Sequence, residues 1–482
     1  MAASFFWYDL ETSSISPRTG RIMQFAGQRT NMELEPVGEP VNVLVRLSDD
    51  ILPDPDAIMV TGITPQQTVQ DGVTEAEFLQ QFQAEVATPG TIFAGYNTVR
   101  FDDEFVRFLH YRNFYDPYEW QWQDGKSRWD LLDVVRMTRA LRPEGINWPM
   151  TEDGKPTNRL ELITKVNGLD HEHAHDALND VLASIAVAKL IRDKQPKLFE
   201  YLLELRGKKE VRRFVCENKT FLYSSGKYAN ETEKTVLVTL VHDDDRKDGI
   251  VYDLRFDPSE FEGMSAEELV ERWRWTKDPE ALARLPVKTM KYNRCPAVAA
   301  AGILADKAVQ ERLKITPEQA GAHYAKLQAL PELRANIVKA RDLMDDERGE
   351  RWKGEVPDAD CALYDGNFFD ENDKRLMRVV RAAKPDELPR LVDDLHDTRL
   401  KELLPRYKAR NFPRSLTGEE RAEWEKFRHH LLMDGGSESQ LAKFMHRLGE
   451  LAKTEQSEDK RYLLEELQLY AESIMPVLDT DQ

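Results

Sequence analysis

A chain of 482 residues, 41% hydrophobic and 32% charged, is long enough for two or three domains with cores of their own and too apolar to be largely disordered. No apolar run approaches the ~20 residues of a membrane-spanning helix, and the opening MAASFFWYDLETSS lacks the basic start of a signal peptide. Three widely separated cysteines, Cys216, Cys295 and Cys361, exclude a disulfide framework and a Cys-x-x-Cys zinc ribbon, which points to a reducing cytoplasm. The net charge of −19 argues against indiscriminate nucleic-acid binding. Local patches decide binding more than the total does, so a nucleic-acid partner would need a defined basic groove.

Along the chain, FFWYDLE is a short aromatic strand, and VNVLVRL (41–47) is a second with clear alternation, followed by a Pro/Asp-rich turn. ITPQQTVQDGVTEAEFLQQFQAEV opens with helix-start chemistry and then runs at a helical period through Phe78, Leu79, Phe82 and Val86. TIFAGYN (91–97) is a buried strand entering a turn, and from Asp102 the pattern is helical, with Phe101, Phe105, Phe108 and Leu109 on one side. Helices follow over 129–141, 158–167 and 176–194, so residues 1–195 form an α/β unit with a mixed sheet covered by helices. TFLYS, TVLVTLVHD and GIVYDLRFD, between 220 and 257, alternate between turn residues and predict a small antiparallel β domain. Helical segments resume near 265, a strand VKTMKYN lies at 287–293 and helices occupy 317–346. From Asp358 the pattern is that of a helical bundle. The expected divisions are therefore 1–195, 196–352 and 353–482.

Three short motifs carry chemistry. Alternate strand residues face one way, so Asp9 and Glu11 stand together at the C-terminal end of FFWYDLE, where open α/β sheets hold ligands. Neighbouring carboxylates repel unless a cation lies between them; the pair alone also fits a strand entering the polar turn ETSS. Asp102 follows a buried strand and opens a helix, with Asn97 placed to tighten the loop before it. Asp102, Asp103 and Glu104 equally fit the first turn of any helix, where acidic side chains are favoured. Asp180 lies in the first turns of an apolar helix through Val181, Leu182 and Ile185, with Asp176 as its N-cap and His175 in the entry loop. His171, His173 and His175 also fit surface residues or a separate metal site.

The ordered set Asp-x-Glu on a strand, Asn-x-x-x-Phe-Asp opening a helix and His-x-x-x-x-Asp opening another resembles the DEDDh branch of the DnaQ-like exonucleases. Stretches such as LPDPDAIMVTGITPQ, GYNTVRFDDEF, YRNFYDPYEWQW, SRWDLLDVVRMTRALRPEGINWP and YKARNFP are similar to the bacterial exonuclease I family, most densely over 5–200, patchily around 210–285 and again in the C-terminal helices. Leu10 departs from the aromatic residue that can occupy the middle of the first motif. The resemblance implies an RNase H-like exonuclease domain, an SH3-like β-barrel and a C-terminal helical domain. It implies processive 3′→5′ hydrolysis of single-stranded DNA to 5′-mononucleotides, in DNA repair and recombination. Asp9, Glu11, Asp102 and Asp180 would bind two Mg²⁺ ions, with Mn²⁺ as the alternative, since carboxylates suit hard cations. His175 would be the general base.

The same resemblance assigns substrate contacts to Glu11, Thr12, Arg107, Tyr118, Trp122 and Arg159, within a span dense in arginine and aromatic residues that fits equally a protein core. It assigns the acidic C-terminal tail of single-stranded-DNA-binding protein to Arg142, Tyr201 and Arg334. A monomer in a bacterial cytoplasm is the family expectation. Competing readings are an exoribonuclease, a proofreading-type exonuclease, or a non-catalytic single-strand-binding scaffold.

Overall fold

The computed structural model describes residues 3–169, 176–244, 248–274, 283–351 and 357–477. In the strand β1 (Ser4–Thr12), Phe5, Phe6, Trp7 and Tyr8 are all buried, so both faces are covered as a central strand requires. β1 pairs antiparallel with β2 (Ile22–Thr30) and parallel with β4 (Thr91–Gly95), while β3 (Val41–Leu44) pairs with β2. With β5 (Ser127–Asp130) the order is β3-β2-β1-β4-β5, the mixed sheet expected.

The second strand was not foreseen. Its polar residues break any simple alternation, yet nearly all of it is buried, because each polar group finds a partner. Gln24 Nε2 donates to Asn42 at 2.9 Å, and Gln28 Nε2 donates to the Arg29 carbonyl at 2.9 Å. The Arg29 guanidinium lies over the Phe6 ring and donates to the carbonyls of Glu85 and Val86, each at 2.9 Å.

The Pro/Asp-rich turn is a short helix, α1 (Pro55–Thr61), capped by Asp54 and closed by Gly62 at φ 71°. The helical run after it is two helices, α2 (Pro65–Asp71) and α3 (Glu75–Gln81), each opened by a capping box, at Thr64 and at Thr74. A π-helical turn, Phe82–Val86, extends α3. Then α4 (Asp102–Arg112) buries Phe105, Phe108 and Leu109 as predicted. Further along the chain come α5 (Leu131–Leu141), α6 (Leu160–Val166) and α7 (Ala177–Lys194).

Two compact units emerge, and they do not follow chain order. The first joins residues 1–127 and 171–182 to residues 357–482. Its aromatic core packs Phe25 against Tyr8, Phe78 and Phe82 with ring centroids 5.0–5.9 Å apart. Each such ring, fully buried, contributes roughly 1.5–3 kcal/mol. The C-terminal helices belong to the same unit: Phe108, Tyr111 and Phe114 share a cluster with Leu376, Val380, Leu400 and Tyr407.

The second unit holds residues 128–170 and 183–356. Its antiparallel sheet, β6 (Phe221–Ser224), β7 (Thr235–His242), β8 (Gly249–Asp253), β9 (Val287–Met290) and β10 (Val298–Ala300), has the order β10-β6-β7-β8-β9. Val211 and Val215, from the helix Lys208–Glu217, pack on Phe221, Val236, Val251 and Val298. No described helix is long and apolar enough to cross a membrane.

Candidate active site

The site begins where two strands part. β4 pairs with β1 only as far as Trp7↔Ala94 and ends at Gly95, whereas β1 runs on to Thr12 with β2 still alongside, Asp9 opposite Ala26 and Glu11 opposite Gln24. The last turn of β1 therefore has one edge held and one edge open, which is the crevice that open sheets offer to ligands. A register shift between Glu11 and Thr12 ends the pairing, a device common beside active sites.

The chain leaves β4 through a tight turn. A Cβ on Gly95 would lie 2.7 Å from the Tyr8 carbonyl oxygen and 2.2 Å from Thr98 Cγ2, so only glycine fits. Asn97 then takes a left-handed conformation, φ 71° and ψ 11°, which asparagine tolerates better than most residues. One turn of 3-10 helix, Thr98–Arg100, delivers Asp102 as the first residue of α4, 4% exposed. At α7, Asp176 Oδ1 accepts from the amides of Leu178 at 3.0 Å and Asn179 at 3.3 Å, the predicted cap, and Asp180 follows in the first turn.

Two of these elements, β1 and α7, bring carboxylates together, and Asp102 on α4 is a neighbouring charge on Asp9. One oxygen from each of Asp9, Glu11 and Asp180 lies within 4.8 Å of the others. Burial and the charges of Asp102, Asp180 and Glu11 push the Asp9 carboxyl well above its usual range. Burial, Asp180 and Asp176 raise Glu11 to about 8. At neutral pH such a cluster must take up protons or a cation. Its donors are all carboxylate oxygens, the set that suits a hard divalent ion, so the residues fit the metal that the motif implies.

Family models match the chain in three consecutive segments: exonuclease over 6–188, exonuclease I SH3-like domain over 206–340 and exonuclease I C-terminal domain over 357–474. Exodeoxyribonuclease I of Haemophilus influenzae is 40% identical over 437 residues, which are 89% of this chain and 90% of that protein. The chain belongs to the exonuclease I family. The solved structure of Escherichia coli exonuclease I in complex with a dA16 oligonucleotide is 37% identical, covers 98% of this chain and 100% of its own, and superposes with a TM-score of 0.90. An SSB/exonuclease I structure, 36% identical with the same coverage, gives 0.85. The family and the three-part layout expected from the sequence both hold.

For a member of this family, the remaining residues singled out by sequence fall into distinct environments. His175, with His171 and His173, lies outside the described residues. Thr12 is 7% exposed, and its hydroxyl donates to the Ser14 carbonyl at 2.9 Å. Arg107 is buried on α4; it donates to Glu104 at 2.7 Å and to Gln121 at 2.9 Å, and lies 5.8 Å from the Tyr118 ring centroid. Burial opposes its charge, but Asp103 and Glu104 outweigh that and hold the guanidinium above its ordinary value. Tyr118 is half-buried and Trp122 is 61% exposed, whereas Tyr111, Trp120 and Trp129 are core. Tyr118, Trp122, Tyr364, Phe368, Lys374 and Arg399 line a groove of about 510 Å³.

Arg159, at the start of α6, is exposed and paired with Glu161 at 2.6 Å. Arg142 donates to the Leu141 carbonyl at 3.0 Å, Tyr201 meets Phe214 edge-on at 6.4 Å, and Arg334 donates to Gln328 at 3.1 Å. No hydrogen bond or ring contact among the described residues joins those three to one another. The Tyr201 hydroxyl is buried without a hydrogen-bond partner, so an acceptor is wanted there.

Sequence reasoning missed three neighbours of the site. Asp176 is a further charge acting on Glu11 as well as a cap. Asp103 accepts from the Tyr8 hydroxyl. Glu104 receives both Arg107 and, at 2.5 Å, the Tyr364 hydroxyl from 260 residues away. The acidic run after Phe101 hinted at Asp103 and Glu104, and the capping position before Asp180 hinted at Asp176.

Proposed function

We propose that this chain hydrolyses single-stranded DNA processively from the 3′ end, releasing 5′-mononucleotides, and that Asp9, Glu11, Asp102 and Asp180 hold the divalent ions the reaction requires. The observation that carries this reading is the convergence of Asp9, Glu11 and Asp180 within 4.8 Å at an open strand end, with Glu11 raised to about 8. The E. coli relative solved with an oligonucleotide supports DNA as the substrate. Two Mg²⁺ ions, or Mn²⁺, are the species we assign; when bound they stabilise the attacking and leaving oxygens of an in-line displacement.

The protein's own groups do the rest. Asp9 and Glu11, fixed on a paired strand, and Asp102 and Asp180, fixed at helix starts, supply preorganised negative charge that needs no rearrangement during the reaction. His175 takes a proton from the attacking water, a role resting on its motif position. Thr12 presents its backbone to the terminal nucleotide, its hydroxyl being engaged. Arg159 contacts the terminal nucleotide, Arg107 and Trp122 line the path of the DNA, and Tyr118 and Trp122 offer flat faces on which bases stack. Arg142, Tyr201 and Arg334 receive the terminal carboxylate of the tail of a single-stranded-DNA-binding protein, supported by the SSB/exonuclease I structure. We assign residues 1–195, 196–352 and 353–482 to the three domains and take the protein as a cytoplasmic monomer acting in repair and recombination.

Product analysis on 5′-labelled single-stranded DNA, duplex DNA and RNA, with Mg²⁺, Mn²⁺ or EDTA, tests the assignment. Stepwise shortening of single-stranded DNA alone, abolished by EDTA and by Asp180→Ala while binding persists, is the expected result. Full turnover by Asp180→Ala would overturn the site, and preferential cleavage of RNA would favour the exoribonuclease reading. His175→Ala should slow hydrolysis strongly; an unchanged rate would move the base elsewhere.

A further inference from the structure

Tyr8 and Asp103 each adjoin, along the chain, one of the carboxylates assigned to the site, Asp9 and Asp102. Tyr8 precedes Asp9 on β1 and points to the opposite side of the sheet, into the aromatic core, with the Phe25 ring stacked at 5.9 Å and the Phe93 ring edge-on at 6.3 Å. It is 2% exposed. Asp103 follows Asp102 on α4 and is 1% exposed. The Tyr8 hydroxyl donates to Asp103 Oδ1. A buried carboxylate is costly unless hydrogen-bonded, and Asp103 accepts this hydroxyl, with Arg107 one turn on along α4. The bond therefore joins β1 to the first turn of α4 one residue away from Asp9 on one side and from Asp102 on the other.

That location matters because β4 pairs with β1 only as far as Trp7 and Ala94, so the Tyr8–Asp103 bond, beyond that point, links the end of β1 to the start of α4. We propose that Tyr8 and Asp103 are positioning residues: their buried hydrogen bond holds Asp102 against Asp9 and so sets how tightly the carboxylate site binds divalent ions. The proposal rests on the metal-site reading above. It explains why a phenol hydroxyl occurs in a cluster made mostly of Phe, Leu and Val side chains.

Tyr8→Phe removes one oxygen and keeps the ring. Mn²⁺ binding to the protein without DNA, followed by titration calorimetry, should weaken by about ten-fold, within the range for groups that orient metal ligands. Hydrolysis should fall at limiting Mn²⁺ and recover at high Mn²⁺, while binding of single-stranded DNA in EDTA stays unchanged. Asp103→Asn, which keeps an acceptor oxygen for Tyr8, should weaken Mn²⁺ binding less than Asp103→Ala, and Asp103→Ala should add little to Tyr8→Phe. A Tyr8→Phe protein with a lower melting temperature but wild-type Mn²⁺ affinity would overturn the proposal. If Tyr8→Phe does not fold, equal Mn²⁺ affinities for Asp103→Asn and Asp103→Ala would overturn it instead. Asp180→Ala separates the two readings. If it leaves Mn²⁺ affinity unchanged, the metal site itself is wrong; if it abolishes binding while Tyr8→Phe does not weaken it, only the positioning role fails.

Discussion

Arg410 donates to Asp50 Oδ2 at 2.7 Å and to both oxygens of Asp360, at 2.6 and 2.7 Å. All three side chains are buried, and Arg406 adds a bond to Asp360 at 2.8 Å. The helix Thr398–Asn411 is thereby locked to the loop ahead of α1, with Asn411 also donating to Asn113 and accepting from the Ala76 amide. Removing one partner of a buried ion pair strands the other, at a cost of about 3–5 kcal/mol. Arg410→Ala should destabilise by that order in urea unfolding, and Arg410→Met combined with Asp50→Asn should regain part of it. A loss below 1 kcal/mol for Arg410→Ala would mean that water or Arg21 compensates.

The same cluster makes acid stability predictable. Burial pushes Asp50 and Asp360 up, but Arg410 overrides it and holds both below the usual carboxylate range, Asp360 well below. A folded-state value under the unfolded value of ~3.9 means that the stabilisation is fully present above about pH 4 and is lost as pH falls through the depressed values. The melting temperature should therefore drop steeply below pH 4. In Arg410→Met that part of the acid dependence should be shallower, measurable by scanning calorimetry between pH 2.5 and 6.

At the metal site the sign is reversed. Glu11, at about 8 and with Asp9 also raised, binds protons in the folded protein that the unfolded chain, near ~4.3, has released. Metal-free stability should thus fall as pH rises from about 4.5 through 8, with the full penalty above that. A divalent ion relieves the repulsion, so the rise in melting temperature on replacing EDTA with Mg²⁺ should be larger at pH 8.5 than at pH 5.5. Equal shifts at both pH values would show that the stabilising ion binds elsewhere.

What could be read from the sequence was whatever depends on local spacing. Strand alternation put Asp9 and Glu11 on one face, and capping chemistry placed Asp176 and Asp180 at a helix start, where the structure has them. Features decided by distant partners were invisible. β2 looks too polar for a buried strand because partners such as Asn42 and the carbonyls of Glu85 and Val86 lie 18 or more residues away. Asp103 read as an ordinary first-turn acid because Tyr8 is 95 positions earlier. That Tyr111 and Phe114 share a core with Leu376 and Tyr407 follows from packing of the helical tail, which no periodicity within either segment encodes. The split at Gly72 was hidden because Phe78, Leu79, Phe82 and Val86 keep a helical period on their own.

Trp120 and Trp122, two residues apart, should respond oppositely to truncation. Trp120 is 2% exposed, packs edge-on against Phe93 at 4.9 Å and donates to the Pro117 carbonyl at 3.1 Å, so it is core. Trp122 is 61% exposed at the rim of the groove lined by Tyr118, Tyr364 and Phe368. Phe368 is itself 86% exposed, so two large rings stand in water that a folded core would otherwise claim. Trp120→Ala should cost about 3–5 kcal/mol of stability through the cavity it leaves. Trp122→Ala should leave the melting temperature within a degree or two yet weaken single-stranded DNA by about 1–3 kcal/mol, the range for one lost base–aromatic stack. Fluorescence anisotropy in EDTA with a labelled oligonucleotide reads the second effect without interference from hydrolysis. Its dependence on salt should match that of the wild type, because an indole removes stacking and no phosphate contact. Unchanged affinity for Trp122→Ala would place the strand away from this groove and leave Phe368 and Trp122 without a nucleic-acid role.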